Sequence, residues 1–201
     1  MTGQIVGDTE WNGLPMPRRL WAILAVTFGV ALSVLDGTIA NVALPTIAHE
    51  LGVSSADSIW VVNAYQLAIV VSLLSFSTLG DVVGYRRIYI GGLDFCTLSA
   101  VGCAFAGALE MLIAMRVIQG FGGAAVVSIN TSIILIIYPR DQLGRGMGIN
   151  ATVVAIASVA GPTLAAAILS MASWHWLFAI NIPIGIAAVW LSMRFLPYNP
   201  V

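Results

Sequence analysis

Hydrophobic positions in this chain come in long blocks separated by short polar stretches. Six blocks can be drawn, at 20–44, 58–80, 87–109, 111–137, 147–170 and 175–193. Each is close to or longer than the ~20 residues an α-helix needs to cross a ~30 Å hydrocarbon core. The pattern predicts an all-α, polytopic membrane protein with six transmembrane helices. It divides the chain into a tail at 1–19, a six-helix domain at 20–194, and a tail or linker start at 195–201. The third and fourth blocks nearly abut, which predicts a tight turn at Glu110. Between the first two blocks, "PTIAHELGVSSAD" predicts a short interfacial helix begun by Pro45.

The polar stretches also orient the blocks. Arg18, Arg19, Arg86, Arg87, Arg140, Arg145 and Arg194 all fall on one side, while His49, Glu50, Asp57, Glu110 and His175 fall on the other. By the positive-inside rule the arginine side is cytoplasmic, so both termini are expected there. Trp21, Tyr85, Tyr89, Tyr138 and Trp190 lie near the inner level, and Trp60, Trp174 and Trp176 near the outer one, as interfacial anchors do. The apolar run after Arg18 and Arg19 is long and has no good small-residue cleavage site, so it reads as a retained first helix.

Composition agrees with the blocks. Of the 201 residues 59% are hydrophobic and only 8% charged, against about 25% charged in a soluble domain. Net charge is −1 and no basic tract exists, so nothing points to nucleic acid. Cys96 and Cys103 share one block and read as small packing residues, not a disulfide or metal pair. The histidines have no ligand spacing. No metal, cofactor or enzyme is expected, since phosphate-binding loops and nucleophile constellations are missing from the sequence.

Three ionisable residues break the apolar blocks: Asp36, Asp94 and Arg116. Each costs roughly 2.5–3.5 kcal/mol at mid-helix by insertion scales, which calls for a partner or a wet cavity. Asp36 stands a few turns before the outer end of the first block, and Arg116 a similar distance past the outer start of the fourth. The two are therefore expected at similar depth, facing a polar, partly hydrated cavity. Gln119 shares a helix face with Arg116, and Asn41 adds a polar group near Asp36. Asp36 reads either as a structural acid bridging helices or as a proton-titrating or cation-attracting group. Arg116 reads either as its fixed ion partner or as the charge that keeps an acid deprotonated. Asp94 is a possible extra titrating site, or a group that snorkels inward or packs against Gly91 and Gly92.

Small residues mark close helix approaches. Gly120 and Ala124 share a face, as do Ala157, Gly161 and Ala165, and again Gly102 and Ala106. Pro162 predicts a kink beside Gly161, either for packing or as a hinge. In "LGDVVGYRR", Asp81 at a helix C-terminus opposes the dipole and needs a partner, with Arg86, Arg87, Arg140 and Arg145 as candidates for an inner latch.

These stretches resemble the major facilitator superfamily, and within it the drug:proton antiporters with fourteen transmembrane helices. "LDGTIANVALP" resembles that family's first-helix signature through Asp36, Thr38, Asn41 and Pro45. "LGDVVGYRR" resembles its inner loop through Asp81, Gly84 and Arg86. "RVIQGFGGAA" resembles its fourth-helix motif through Arg116, Gln119, Gly120 and Gly122, and "AGPTLAA" its fifth-helix motif through Gly161 and Pro162. "SWHWLFAINIPIG" resembles the start of its sixth helix. Departures are Ser77, Val82 and Tyr85 in the inner loop, Ala165 and Ala166 where a glycine pair is usual, and Asp94 where an apolar residue is usual.

The resemblance implies one half of a major-facilitator-type fold in a cell membrane, in a bacterial inner membrane. It implies proton-coupled efflux of amphiphilic or cationic drug-like compounds. Asp36, Arg116, Gln119 and Asn41 would line the proton or substrate path, Asp81, Gly84, Arg86 and Arg87 would form the latch, and Gly161 and Pro162 the hinge. The expected partners are protons, a small-molecule substrate, the lipid bilayer, and a missing C-terminal half or second chain. The alternatives are an inactive or structural half-transporter and a uniporter or exporter of an endogenous small metabolite.

Overall fold

The computed structural model describes residues 13–198. Eight α-helices follow one another: α1 Arg18–Leu51, α2 Ser55–Ser58, α3 Trp60–Val83, α4 Tyr85–Ala104, α5 Leu109–Ile137, α6 Leu143–Leu169, α7 His175–Ala179 and α8 Asn181–Phe195, with a 3₁₀ turn at Arg140–Gln142 before α6. No strand occurs among the described residues. The outer parts of the two predicted tails, before residue 13 and after 198, lie outside the described residues.

Five stretches are long and apolar enough to cross a membrane: α1, the α2–α3 stretch Ser55–Val83, α5, Arg140–Leu169 and His175–Phe195. The sixth, α4, has 20 residues but carries Arg86, Arg87 and Asp94, which lower its apolar content. It is nevertheless bundled with the rest, because its other face supplies Tyr89, Leu93, Cys96, Ala100 and Cys103 to the core. Six membrane-length segments, one of them the α7–α8 pair, therefore form the bundle.

α1 corrects the sequence reading. Instead of ending near Pro45 and restarting as an interfacial helix, it runs 34 residues through Pro45 to Leu51. Proline forfeits one backbone bond there, but Ala43, Ile47 and Ala48 remain buried on the packed face. Gly52, in the left-handed region at φ 64°, then ends the helix, and its N–H and that of Val53 reach back to His49 O and Ala48 O. The turn expected at Glu110 lies instead at residues 105–108. Glu110 sits in the first turn of α5, where a carboxylate suits the helix dipole. The sixth block is interrupted at Ile180, between α7 and α8.

Close approaches fix how the bundle packs. α5 is wedged between α3 and α4: a Cβ on Gly120 would stand 2.6 Å from Tyr65 O, and one on Gly122 would stand 2.6 Å from Gly92 O. On the other side α6 meets α1 along Ala157, Gly161 and Ala165, its buried stripe apart from Gly146. A Cβ on Gly161 would lie 2.1 Å from Thr38 Oγ1. Absent side chains permit backbone contact where lipid offers no hydrophobic drive.

The apolar core has two clusters. One, around Val26, Tyr89, Leu93, Ile129, Ile133 and Ile137, lies toward the arginine-bearing end. The other, around Ile39, Ala43, Leu112, Trp174 and Phe178, lies toward the opposite end. At the first end, Arg18 Nε donates to Phe195 O and Arg19 Nη1 to Gln142 Oε1. Arg86 donates to Met193 O there, and its guanidinium lies 4.1 Å over the Tyr198 ring. Both described ends of the chain thus gather on the arginine side, which the positive-inside rule makes cytoplasmic.

Candidate functional site

Between the two apolar clusters lies a polar knot. Arg116, on α5, is fully buried and Asp36, on α1, is 4% exposed. Arg116 Nη1 meets Asp36 Oδ2 at 2.7 Å, the ion pair of the described residues. The same nitrogen donates to Gln119 Oε1 at 2.8 Å, and Arg116 Nε donates to Val61 O at 3.1 Å. Gln119 Nε2 donates to Asp36 Oδ1 at 3.0 Å, and Asn181 Nδ2 donates to that oxygen at 2.9 Å. The carboxylate therefore takes donors from two helices besides its own, α5 and α8.

Local sequence explains the assembly. Arg116 and Gln119, three apart, project from one face of α5. Gly120, Gly122 and Gly123 follow them, so α3 and α4 come close enough to enclose the guanidinium. Tyr65, on α3, lays its ring 4.1 Å from the guanidinium carbon, and the Phe178 ring lies 5.7 Å away. Tyr65 in turn donates to Ser33 O at 3.1 Å. Arginine suits this place because its planar head pairs, donates and stacks at once.

Where the sequence leads one to expect a polar, partly hydrated cavity, Asp36 and Arg116 are both buried. Gln119, Asn181, Tyr65 and Phe178 fill the space around the pair and bury it. Asn41 also leaves the group: it is exposed, and its Nδ2 donates to Gly37 O on its own helix at 2.9 Å. Its five-residue offset from Asp36 turns it to another face.

The other predicted positions lie elsewhere. Asp94 is exposed on the outward side of α4, on the flank that also carries exposed Phe95 and Leu98. Asp81 accepts a bond from Tyr85 at 2.5 Å, so the residue that replaces the usual basic group serves as its partner. Among the described residues no ion pair joins Asp81 to Arg86, Arg87, Arg140 or Arg145; Arg86 turns instead to Met193 and Tyr198. Gly84 links α3 to α4 at φ 106°, ψ 130°, a conformation L side chains rarely adopt. Gly161 and Pro162 lie within α6, which runs unbroken past them.

Sequence reading missed Tyr65, Phe178 and Asn181. Asn181 carried a faint signal, as a polar residue inside "FAINIPIG". Tyr65 and Phe178 carried none, because an aromatic in a membrane block is ordinary.

A bundle of six membrane-length segments around a buried cross-helix ion pair is the architecture of a membrane transporter half. The sequence profile described as Major Facilitator Superfamily matches residues 26–201, and the chain belongs to that family of membrane transporters. It is 63% identical over 188 residues to "Uncharacterized transporter YebQ" of Escherichia coli K12, a match covering 94% of this chain and 41% of that protein. It is 36% identical to "Riboflavin transporter RibZ" of Clostridioides difficile, covering 90% of this chain and 40% of RibZ. Against "Putative multidrug resistance protein MdtD" of Salmonella typhi it is 37% identical, covering 88% and 38%. The chain thus spans about two fifths of these relatives. A crystal structure of a bacterial homologue of the human lysosomal transporter Spinster shares the fold, with TM-score 0.75 at 20% identity, over 92% of this chain and 45% of that one.

Proposed function

We propose that this chain is half of a proton-coupled exporter of small organic compounds in the bacterial inner membrane. The observation that carries the reading is the Asp36–Arg116 pair, joined at 2.7 Å and buried in the bundle. A buried ion pair is weak as a stabilising device, because desolvation offsets much of the attraction. Within membrane segments, ionisable groups commonly serve ion or proton pathways. Asp36 is the group that gains and loses the proton, while Arg116 and Gln119 favour its charged form. The relatives' names support small organic substrates: one is a putative multidrug resistance protein, another a riboflavin transporter. The first favours amphiphilic or cationic drug-like compounds. The second favours a second reading, export of an endogenous metabolite on the same scaffold.

A single six-helix half has nothing to rock against, so a second half or second chain completes the path. α6 supports this: it buries little beyond its small-residue stripe. Its outward side forms an open groove lined by Ile156, Val159, Ala160, Thr163 and Leu164.

The test is proton-driven efflux from vesicles holding this chain, alone and with a complementing half, under an imposed pH gradient. Asp36→Asn is expected to abolish coupled flux while leaving the protein in the membrane. Unchanged flux in that variant overturns the role given to Asp36. Transport that persists after an ionophore collapses the gradient points to a uniporter, and no flux from any combination points to an inactive half.

A further inference from the structure

The knot is wired for a charged Asp36, and two buried atoms in it have no hydrogen-bond partner among the described residues: Arg116 Nη2, which can only donate, and Asn181 Oδ1, which can accept. A carboxylate only accepts hydrogen bonds, and each of its three partners here donates: Arg116 Nη1 to Oδ2, Gln119 Nε2 and Asn181 Nδ2 to Oδ1. A protonated carboxyl must also donate one bond, and buried O–H groups require an acceptor. Arg116 has no acceptor atom. Gln119 cannot supply one, because its Oε1 already takes Arg116 Nη1 at 2.8 Å and Cys103 Sγ at 3.7 Å. Turning that amide over would aim its NH₂ at the guanidinium.

Asn181 differs. It is 1% exposed, and its Oδ1 is buried with no hydrogen-bond partner among the described residues. A half-turn about its Cβ–Cγ bond costs no existing bond except the one Nδ2 gives to Asp36. We infer that Asn181 is the positioning residue that lets this buried site hold a proton: its carboxamide donates to the charged Asp36 and turns over to accept from the protonated one. The proton rests on Asp36 Oδ1 and is donated to Asn181 Oδ1, while Nδ2 swings into the space the oxygen held. Arg116 keeps its bonds to Gln119 and Val61 and its contact with Tyr65 throughout. Asn181 is also the first residue of α8, next to the break at Ile180. The exchange therefore links the charge of α1 to the junction of α7 and α8.

The groups that titrate or carry charge around Asp36 are Arg116 on α5, Tyr65 on α3, and Cys96 and Cys103 on α4. α8 meets it with the uncharged Asn181, and on α7 His175 is turned to Ala106 O at 3.2 Å. Tyr65 gives its O–H to Ser33 O at 3.1 Å, and of these titratable or charged groups Arg116 is the one hydrogen-bonded to Asp36 among the described residues.

The inference rests on the reading of Asp36 as the proton carrier, and infrared difference spectroscopy separates the two. The full chain in lipid vesicles is stepped between high and low pH, and the protonated carboxyl stretch that disappears in Asp36→Asn is assigned to Asp36. In Asn181→Leu that band is expected at higher wavenumber, because the O–H has lost its acceptor. In the unmutated chain grown with ¹³C-labelled asparagine, a labelled carboxamide stretch is expected to fall in step with the Asp36 band; this needs no variant to fold. An Asp36 band unmoved by Asn181→Leu, or a labelled carboxamide that does not respond, overturns the role of Asn181 and leaves proton coupling standing. The absence of any Asp36-dependent band across the pH step overturns both.

Discussion

Arg116 Nη1 and Asp36 Oδ2 stand 2.7 Å apart although 80 residues separate them in sequence. Neither is held by this contact alone, since Gln119 touches both. The consequences of removing a member are therefore asymmetric.

Replacing Arg116 by methionine leaves a carboxylate buried without its counter-charge. Loss of one partner of a buried pair costs about 3–5 kcal/mol, so Arg116→Met is expected to lower thermal stability in detergent sharply. Asp36→Leu combined with Arg116→Met is expected to recover most of that loss. A double variant no more stable than Arg116→Met would show that the pair is not energetically coupled.

Gly161 and Thr38 set the spacing between α6 and α1. An alanine at 161 places its methyl 2.1 Å from Thr38 Oγ1, whose hydroxyl donates to Val34 O and Leu35 O at 3.1 and 3.0 Å. Gly161→Ala is expected to cost about 1–3 kcal/mol, as overpacking does. Adding Thr38→Ala is expected to restore much of it, and a double-mutant cycle on unfolding measures the coupling. Additive losses would place the contact elsewhere.

Gly84 turns the chain from α3 into α4 at φ 106°. Gly84→Ala puts a Cβ into a backbone region that costs of order 1–3 kcal/mol. Faster hydrogen exchange at the start of α4, with α5 amides unchanged, is the expected signature.

Cys96 is 5% exposed and Cys103 is 0% exposed. A maleimide is expected to leave both unmodified in the folded bundle and to label both once the chain is denatured. Mass spectrometry reads the difference; rapid labelling of Cys103 under native conditions would contradict the α4–α5 packing.

The sequence located much of this molecule and misjudged some of its boundaries. Pro45 looked like a helix start because proline favours that position, yet buried Ile47 and Ala48 carry α1 past it. Ile180 gave no sign of a break, since its residue type suits a membrane helix on either side. Asn41 is close to Asp36 in sequence, but a five-residue offset turns it to a different face of α1, where its Nδ2 donates to Gly37 O. Asp81 needs a partner by its place at a helix end, and Tyr85 at the opening of α4 is the one that reaches it, at 2.5 Å.

By itself the sequence determined the helical membrane class, the side on which the arginines gather, the matching depth of Asp36 and Arg116, and the small-residue stripe of α6. These follow from local quantities, namely the length of apolar runs, the signs of flanking charges and the spacing of residues along one helix. Only the tertiary structure decided that the two charges touch, that Tyr65 and Phe178 enclose them, and that Asn181 closes the ring. Those facts depend on how far each helix is rotated about its axis and how near its neighbour lies. Both are set by glycine contacts such as Gly120 with Tyr65 and Gly161 with Thr38, across distances in sequence that no hydropathy pattern spans.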